Sequence, residues 1–439
     1  MPIILGGKRI TSFSNPISVA VLKPTQKFIG QQAQYGLNAP VFLLFGDYHV
    51  NLQNTCKNCT CNLSTRSCCM DVNDQSWMDL LAKVSTADKP VDIFLEYSTA
   101  VVTDSGQRKQ FLADASKSEQ MLNDAKNTFK KCFAQQKKCG ARYHLTDPRT
   151  TINHSAKNHM PRYYYDALHL EFELGLISNN KAQIATMKKW AKANSEFKQC
   201  MESVLDGLLE LTADTNTATF TKRWIDMYFD NPWFEKNSLV AKQIRKCKGP
   251  LADKNTWKQL GLDLANAEAR VTQNQLKKLH SRIKEYVRIF KHNGSENTLA
   301  ADKHLGETAA FACPQIFDMY NLGRAWKKPD EAMNPALVTI YQGAFHTESQ
   351  IKALTRQKMY EIAFYEPQNL KFNAKFDKDA ESGKISRCIK VEGAINIDSI
   401  IGWKPVRKPT SKRTSKRSAK RKRKLPSKRS AKPKSKRSA

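Results

Sequence analysis

Apolar residues along this chain fall either in short continuous runs or at helical spacing. Val41-Phe-Leu-Leu-Phe45 is a continuous run between Pro40 and Gly46. A run of that length closed by turn residues predicts a strand buried on both faces. Segments 91–95, 141–145, 336–341 and 360–365 read the same way, the last stopped by Pro367. Between them the period is helical. Leu276, Leu279, Ile283, Val287 and Phe290 recur at steps of three and four, and Gly294 follows as a C′ stop. Residues 201–211 and 224–229 also read as helix. Strands alternating with helices predict an α/β fold: a mostly parallel central sheet with flanking helices and right-handed crossovers. A helical block at 161–326 reads as a large insertion. Residues 1–40 carry few signals and are expected to be an N-terminal arm, which places the α/β domain at 41–403.

From Lys404 onward apolar residues nearly vanish. Ser-Lys-Arg begins at Ser411, Ser415, Ser427 and Ser435, and Lys-Arg-Ser-Ala begins at Lys416, Lys428 and Lys436. A repeat without a hydrophobic face cannot offset its ordering entropy, so 404–439 is expected to be a disordered tail. Charge sharpens this division. The chain has 72 Lys+Arg against 41 Asp+Glu, a net charge of +31. The tail holds 18 Lys/Arg and no acid, which leaves +13 for residues 1–403. Dense basic charge on a flexible segment neutralises phosphates and releases counterions. Lys412, Arg413, Lys416, Arg417, Lys420, Arg421, Lys422, Arg423, Lys424, Lys428 and Arg429 are therefore the expected contacts to nucleic acid or another polyanion. With no aromatic residue to stack on bases, binding should be sequence-independent. Residues 420–424 also match a basic nuclear-import cluster.

No apolar run approaches the roughly 18–20 residues of a membrane span, and the start lacks a long signal-like apolar region. The protein is expected to be soluble and intracellular, nuclear or virion-associated, with no membrane partner. Eleven cysteines complicate that picture, because Cys56, Cys59, Cys61, Cys68 and Cys69 crowd into one insertion at 56–69. Two readings stay open: structural zinc, as clustered cysteines imply in a reducing compartment, or disulfides. The spacing matches no standard zinc finger, since Cys56-x-x-Cys59 has no second Cys-x-x-Cys.

The candidate chemistry lies where the expected strands end. Gly46-Asp-Tyr-His49 follows the first run, Glu96 the second, Thr146-Asp-Pro-Arg149 the third and Gln342-Gly-Ala-Phe-His346 the fourth. In open parallel sheets, sites form beyond the carboxyl ends of the strands. Two imidazoles and one or two carboxylates can hold a divalent cation while leaving room for water. The cation lowers the pKa of that water, a spare carboxylate accepts its proton, and an arginine stabilises developing negative charge. His49, His346 and Glu96 are thus candidate metal ligands, with Asp47, Glu96 and Arg149 as catalytic candidates.

Two Gly-x-x-His motifs, Gly46 to His49 and Gly343 to His346, flanking Glu96 and Arg149, resemble the TraB/TIKI superfamily, which includes erythromycin-esterase-like and ChaN-like proteins. The resemblance implies an α/β fold with a pseudo-repeated core and a metal-dependent hydrolase or protease, a haem-binding branch also being known. The cysteine-rich insertion and the helical block depart from that pattern and leave the substrate class open.

Plainer roles stand beside these. Glu96 can cap a helix, Arg149 can pair with Asp147 in an Asp-Pro turn, and His144 inside a strand reads as structural. His154, His159, His169, His280, His292 and His304 have no partner at ligand spacing. No Gly-x-x-x-x-Gly-Lys-Ser/Thr, His-Glu-x-x-His or Gly-x-Ser-x-Gly motif occurs. The expected function is a metal-dependent hydrolase-like domain tethered to nucleic acid. The alternative is a non-enzymatic packaging, virion or chromatin-associated protein whose working part is the tail.

Overall fold

Where the sequence suggested an arm, the computed structural model has three strands: β1 (Ile3–Leu5), β2 (Lys8–Ser14) and β3 (Ser18–Pro24). The structure describes residues 2–48, 55–59, 61, 67–98, 121–134, 139–147, 160, 163–177, 181–214, 216–265, 271–292, 294, 315–329, 332–367, 376, 378–379, 382 and 384–404. The signal for β3 was present: an apolar stretch from Ile17 to Leu22 set between Pro16 and Pro24. Val19, Ala20, Val21 and Leu22 are fully buried.

The chain continues through α1 (Gln26–Ala33), β4 (Val41–Asp47), β5 (Ser67–Asp71), α2 (Gln75–Val84), β6 (Val91–Ser98), α3 (Met121–Ala134) and β7 (Arg142–Asp147). The helical block follows: α4 (Tyr164–Ile177), α5 (Lys181–Ala193), α6 (Ser195–Ala213), α7 (Phe220–Asp230), α8 (Pro232–Asn237), α9 (Leu239–Ile244), α10 (Lys254–Leu264), α11 (Gln273–Lys291) and α12 (Ile316–Trp326). Then come β8 (Leu337–Gly343), α13 (Ala344–Arg356), β9 (Tyr360–Glu366), β10 (Cys388–Lys390), β11 (Ile395–Asn396) and α14 (Ile397–Ile400). All five apolar runs read from the sequence are strands, extended by one to three residues at their carboxyl ends.

The central sheet has the order β7-β6-β8-β4-β3-β9. Strands β7, β6, β8 and β4 are parallel, but β3 runs antiparallel to both β4 and β9. The sheet is therefore mixed, and parallel only in part. The connection explains the reversal. Helix α1 has 8 residues, about 12 Å of rise, against about 23 Å for a seven-residue strand. The chain thus turns at one end of the sheet instead of crossing its face. A second mixed sheet joins β10, β2, β1 and β11, with β5 on the other edge of β2.

Alternate side chains of the central strands enter two cores. On one face Leu22, Phe42, Leu44, Phe94, Val338 and Ile340 pack against the helical block. On the other Val21, Leu43, Phe45, Ile93, Leu95 and Tyr341 pack against the second sheet, α2 and α3. The helical block carries polar groups deep in its core. Asp166 accepts hydrogen bonds from Tyr228 Oη at 2.8 Å and from Leu239 N–H, at the start of α9, at 2.6 Å. Burial pushes the Asp166 carboxyl up to about 6, against hydrogen bonds that lower it. His169 meets the rings of Tyr165 and Tyr228 edge-on, and burial pushes its imidazole down to about 3.

Contacts divide the chain into a unit of residues 1–404 and a second of residues 405–439. The second lies outside the described residues, as do the expected polyanion contacts from Lys412 to Arg429 and the expected disorder. Among the described residues no helix is long and apolar enough to cross a membrane.

Candidate active site at the carboxyl ends of the parallel strands

Strands β4 and β8 run out together, with Gly46 paired to Gln342 and Asp47 to Gly343. Helix α13 begins at once and folds over the end of β4. A Cβ on Gly46 would stand 2.9 Å from the Cα of Ala344, too close for any side chain. Glycine in the first Gly-x-x-His motif is thus explained by helix-on-strand contact.

Gly343 is the N-cap of α13, and its N–H donates to Glu96 Oε2 at 2.7 Å. Glu96, on β6, is buried, so its carboxylate sits at the positive end of the helix, where such a charge is favoured. Glu96 therefore does meet a helix start, but of α13 across the sheet and not of the next helix in sequence.

His346 lies in the first turn of α13. Its Nδ1 is 3.0 Å from Oδ2 of Asp318 on α12, and its Nε2 is 4.0 Å from Oε1 of Glu96. Asp318 is fully buried and its other oxygen accepts from Gln350 Nε2 at 2.7 Å. Gln350 and Gln342 exchange hydrogen bonds of 3.1 Å. A carboxylate at Nδ1 assigns the ring proton to that nitrogen and leaves a lone pair on Nε2. The Phe317 ring packs against the imidazole at 4.4 Å between centroids. Imidazole and Glu96 thus form a polar pair between a helix N-terminus and an aromatic wall.

Asp47 is not part of that pair. Its carboxylate is buried on the opposite face, 3.8 Å from Nη2 of Arg387 and 3.4 Å from the N–H of Leu122 near the start of α3. Asp71 and Asp124 complete the group, each with its carboxyl raised first by burial and pulled back by Arg387. Asn15 links the two halves: its Nδ2 donates to Asp71 and its carbonyl accepts from Arg387 Nε, both at 2.5 Å. His49 and Arg149 lie outside the described residues. His144, in mid-strand, has Nε2 3.3 Å from Asp92 and Nδ1 2.8 Å from Arg324, so it ties β6 and β7 to α12.

Residues that sequence reasoning missed are Asp318, Gln350 and Arg387. Asp318 had a signal, since a single acid stands within the apolar Ile316-Phe-Asp-Met-Tyr320. The cysteines, left open between zinc and disulfide, are bridged: Cys56–Cys388, Cys59–Cys69, Cys61–Cys68 and Cys132–Cys139. Cys200 and Cys247 are free and buried. Among the described residues, three candidate metal-ligand atoms converge within 4.8 Å of one another at Cys56, Cys59 and Cys69. The strand ends contribute the Glu96–His346 pair.

No protein-family model, curated protein or solved structure matches this chain.

Proposed function

We propose that the protein is a metal-dependent hydrolase-like domain of TraB/TIKI resemblance, tethered to nucleic acid by its basic tail. The observation that carries this reading is the alignment of Asp318, His346 and Glu96. A buried carboxylate on one ring nitrogen orients a histidine whose other nitrogen ligates or takes a proton, and raises its basicity. An imidazole nitrogen and a carboxylate suit a divalent cation of the borderline class. Glu96 and His346 would hold it, with His49, two residues past β4 in sequence, as a third ligand. Bound there, the cation supplies a water of lowered pKa. The rest belongs to the chain itself. Asp318 holds the proton on Nδ1, Gly343 N–H fixes the Glu96 carboxylate, and Phe317 screens one side of the ring from solvent. Arg149 is assigned to the anionic part of the substrate. Asp47 is assigned instead to the ion pair with Arg387. A structural zinc at Cys56, Cys59 and Cys69 belongs to the same reading only for a chain in which the Cys56–Cys388 and Cys59–Cys69 bridges are reduced.

Metal analysis of the full chain tests the site. Purified protein equilibrated with zinc or manganese should retain the ion, and His346→Ala and Glu96→Gln should each lose it. Equal retention by parent and variants would sink the proposal. A second reading, a non-enzymatic virion or packaging component, is favoured by the four disulfides, which are features of oxidising surroundings. It predicts polyanion binding with no metal at the strand ends.

A further inference from the structure

Three disulfides involve β5 and β10, the strands on either edge of β2, and their sulfurs are not equivalent. Cys68 and Cys69 are neighbours on β5, so their side chains leave opposite faces of the strand. Cys68 is buried with Met70 against the core, and Cys69 is partly exposed. The bridges Cys61–Cys68 and Cys59–Cys69 therefore stand on different sides of β5. Cys56 belongs to the outer side. Its sulfur, with those of Cys59 and Cys69, lies within a 4.8 Å circle although it is bonded elsewhere, to Cys388. Cys56-Lys-Asn-Cys59 closes through a turn in which Asn58 takes a positive φ of 52°. Two cysteines at that spacing around a tight turn are a common half-site for zinc.

The backbone holds Cys56 and Cys69 independently of their bridges, and Cys59 is tethered three residues from Cys56. Cys69 is paired with Ser12 in the β2–β5 ladder. Thr55 forms a bridge with Arg387, and the Cys56 N–H donates to Ser14 Oγ at 3.3 Å. Opening the disulfides thus leaves Cys56 and Cys69 near one another, with Cys59 within reach through the turn after Cys56. Thiolates on a tetrahedral zinc lie about 3.8 Å apart for Zn–S bonds of about 2.3 Å, so the bonded Cys59 and Cys69 sulfurs must separate on reduction, while that of Cys56 already lies within 4.8 Å of both.

We infer that Cys56, Cys59 and Cys69 form a redox-gated site for a zinc-class cation. The inference rests on the metal reading of this cluster and adds the gate. Oxidised, the sulfurs are committed to Cys56–Cys388 and Cys59–Cys69 and the site is closed. Two equivalents of a dithiol reductant each give up two electrons and two protons, leave as cyclic disulfides, and convert the two bridges to four thiols. A divalent cation then displaces three protons and takes Cys56, Cys59 and Cys69 as thiolates. Cys388 is left as a thiol, so loading the site uncouples β10 from its covalent partner. Partial exposure of all three ligands gives a reductant access.

Cobalt(II) is the probe, because tetrahedral cobalt–thiolate has visible and near-ultraviolet bands. Full-length protein is reduced anaerobically with a water-soluble phosphine, desalted and titrated, with the oxidised protein alongside. A cobalt–thiolate band equivalent to one cobalt per chain in the reduced form, and no such band in the oxidised form, is expected. The band should disappear in Cys56→Ser and Cys69→Ser and persist in the double variants Cys61→Ser/Cys68→Ser and Cys132→Ser/Cys139→Ser. No thiolate band in either state removes the metal reading of the cysteine cluster itself, and an equal band in both removes the gate alone. A reduced chain that loses its circular-dichroism signal and does not regain it with cobalt overturns the inference as well.

Discussion

Asp47 and Glu96 end strands separated only by β8, yet their carboxylates lie on opposite faces of the central sheet. Asp47 follows the parity of Phe45 and meets Arg387 and the start of α3, whereas Glu96 follows Phe94 and meets Gly343 and His346. Two acids that the sequence places in equivalent positions therefore do different work: one holds the fold closed, the other faces an imidazole.

Arg387 is 2 % exposed, so removing its partner or its charge should be costly. Breaking one side of a buried ion pair typically costs about 3–5 kcal/mol, because the remaining charge stays buried. Arg387→Met should lower unfolding free energy by that order. Adding Asp47→Asn should recover part of the loss, as read by denaturant midpoints. A double variant no more stable than Arg387→Met would show that Asp47 is not the principal partner.

Asp318→Asn keeps the shape of the residue but removes the charge that fixes the His346 proton. Loss of such an orienting carboxylate commonly weakens a metal site by about 10–100-fold. Divalent-metal affinity should fall by that factor with the circular-dichroism spectrum unchanged. Unaltered affinity would mean that Asp318 only packs.

The Cys56–Cys388 bridge spans 332 residues, against 7 for Cys61–Cys68. A longer closed loop restricts the unfolded chain more, with typical gains of about 2–4 kcal/mol. Cys388→Ser should therefore lower stability more than Cys61→Ser/Cys68→Ser does. The order of the two thermal midpoints under non-reducing conditions decides this.

His169 carries a pH dependence whose sign is fixed. Its pKa is 6.5 as a free group and about 3 in the fold, so the folded state binds fewer protons between those values. Its contribution to stability is complete above pH 6.5 and is lost as pH falls toward 3, at a rate on the order of 1.4 kcal/mol per pH unit. His169→Phe should unfold less steeply with acid than the parent. The opposing trend of Asp166, raised to about 6, is common to both proteins and cancels in the comparison. Parallel acid limbs would contradict a buried neutral His169.

Deleting 404–439 should remove salt-sensitive binding to DNA and RNA. If the tail contacts 6–10 phosphates, affinity of the full chain should fall on the order of 10³–10⁵ between 50 and 200 mM salt. Unchanged binding after deletion would place the polyanion site in the domain.

The central strands were legible because a strand buried on both faces leaves an unbroken apolar run, as at Val41 to Phe45. β1 and β2 were not. β1 has only three residues, and β2, in a partly exposed sheet, shows only alternation, as in the buried Ile10 and exposed Thr11. The second Gly-x-x-His motif led to His346 because a polar group directly past a buried apolar run stands out along the chain, whereas the first led to His49, outside the described residues. Asp318 escaped because it reaches His346 from a different helix, 28 residues earlier, a relation that spacing along the chain does not encode. Parity could have separated Asp47 from Glu96, since each lies two residues past a phenylalanine, but only pairing order reveals that those phenylalanines face opposite ways.

The bridge between Cys56 and Cys388 also makes most of the chain a covalent ring. A protease that cuts once anywhere between these two residues opens the ring but releases nothing. Nicked protein should run as a single species on a non-reducing gel and separate into two fragments when reduced. Limited digestion can thus destroy continuity of the helical block while the mass of the molecule stays whole.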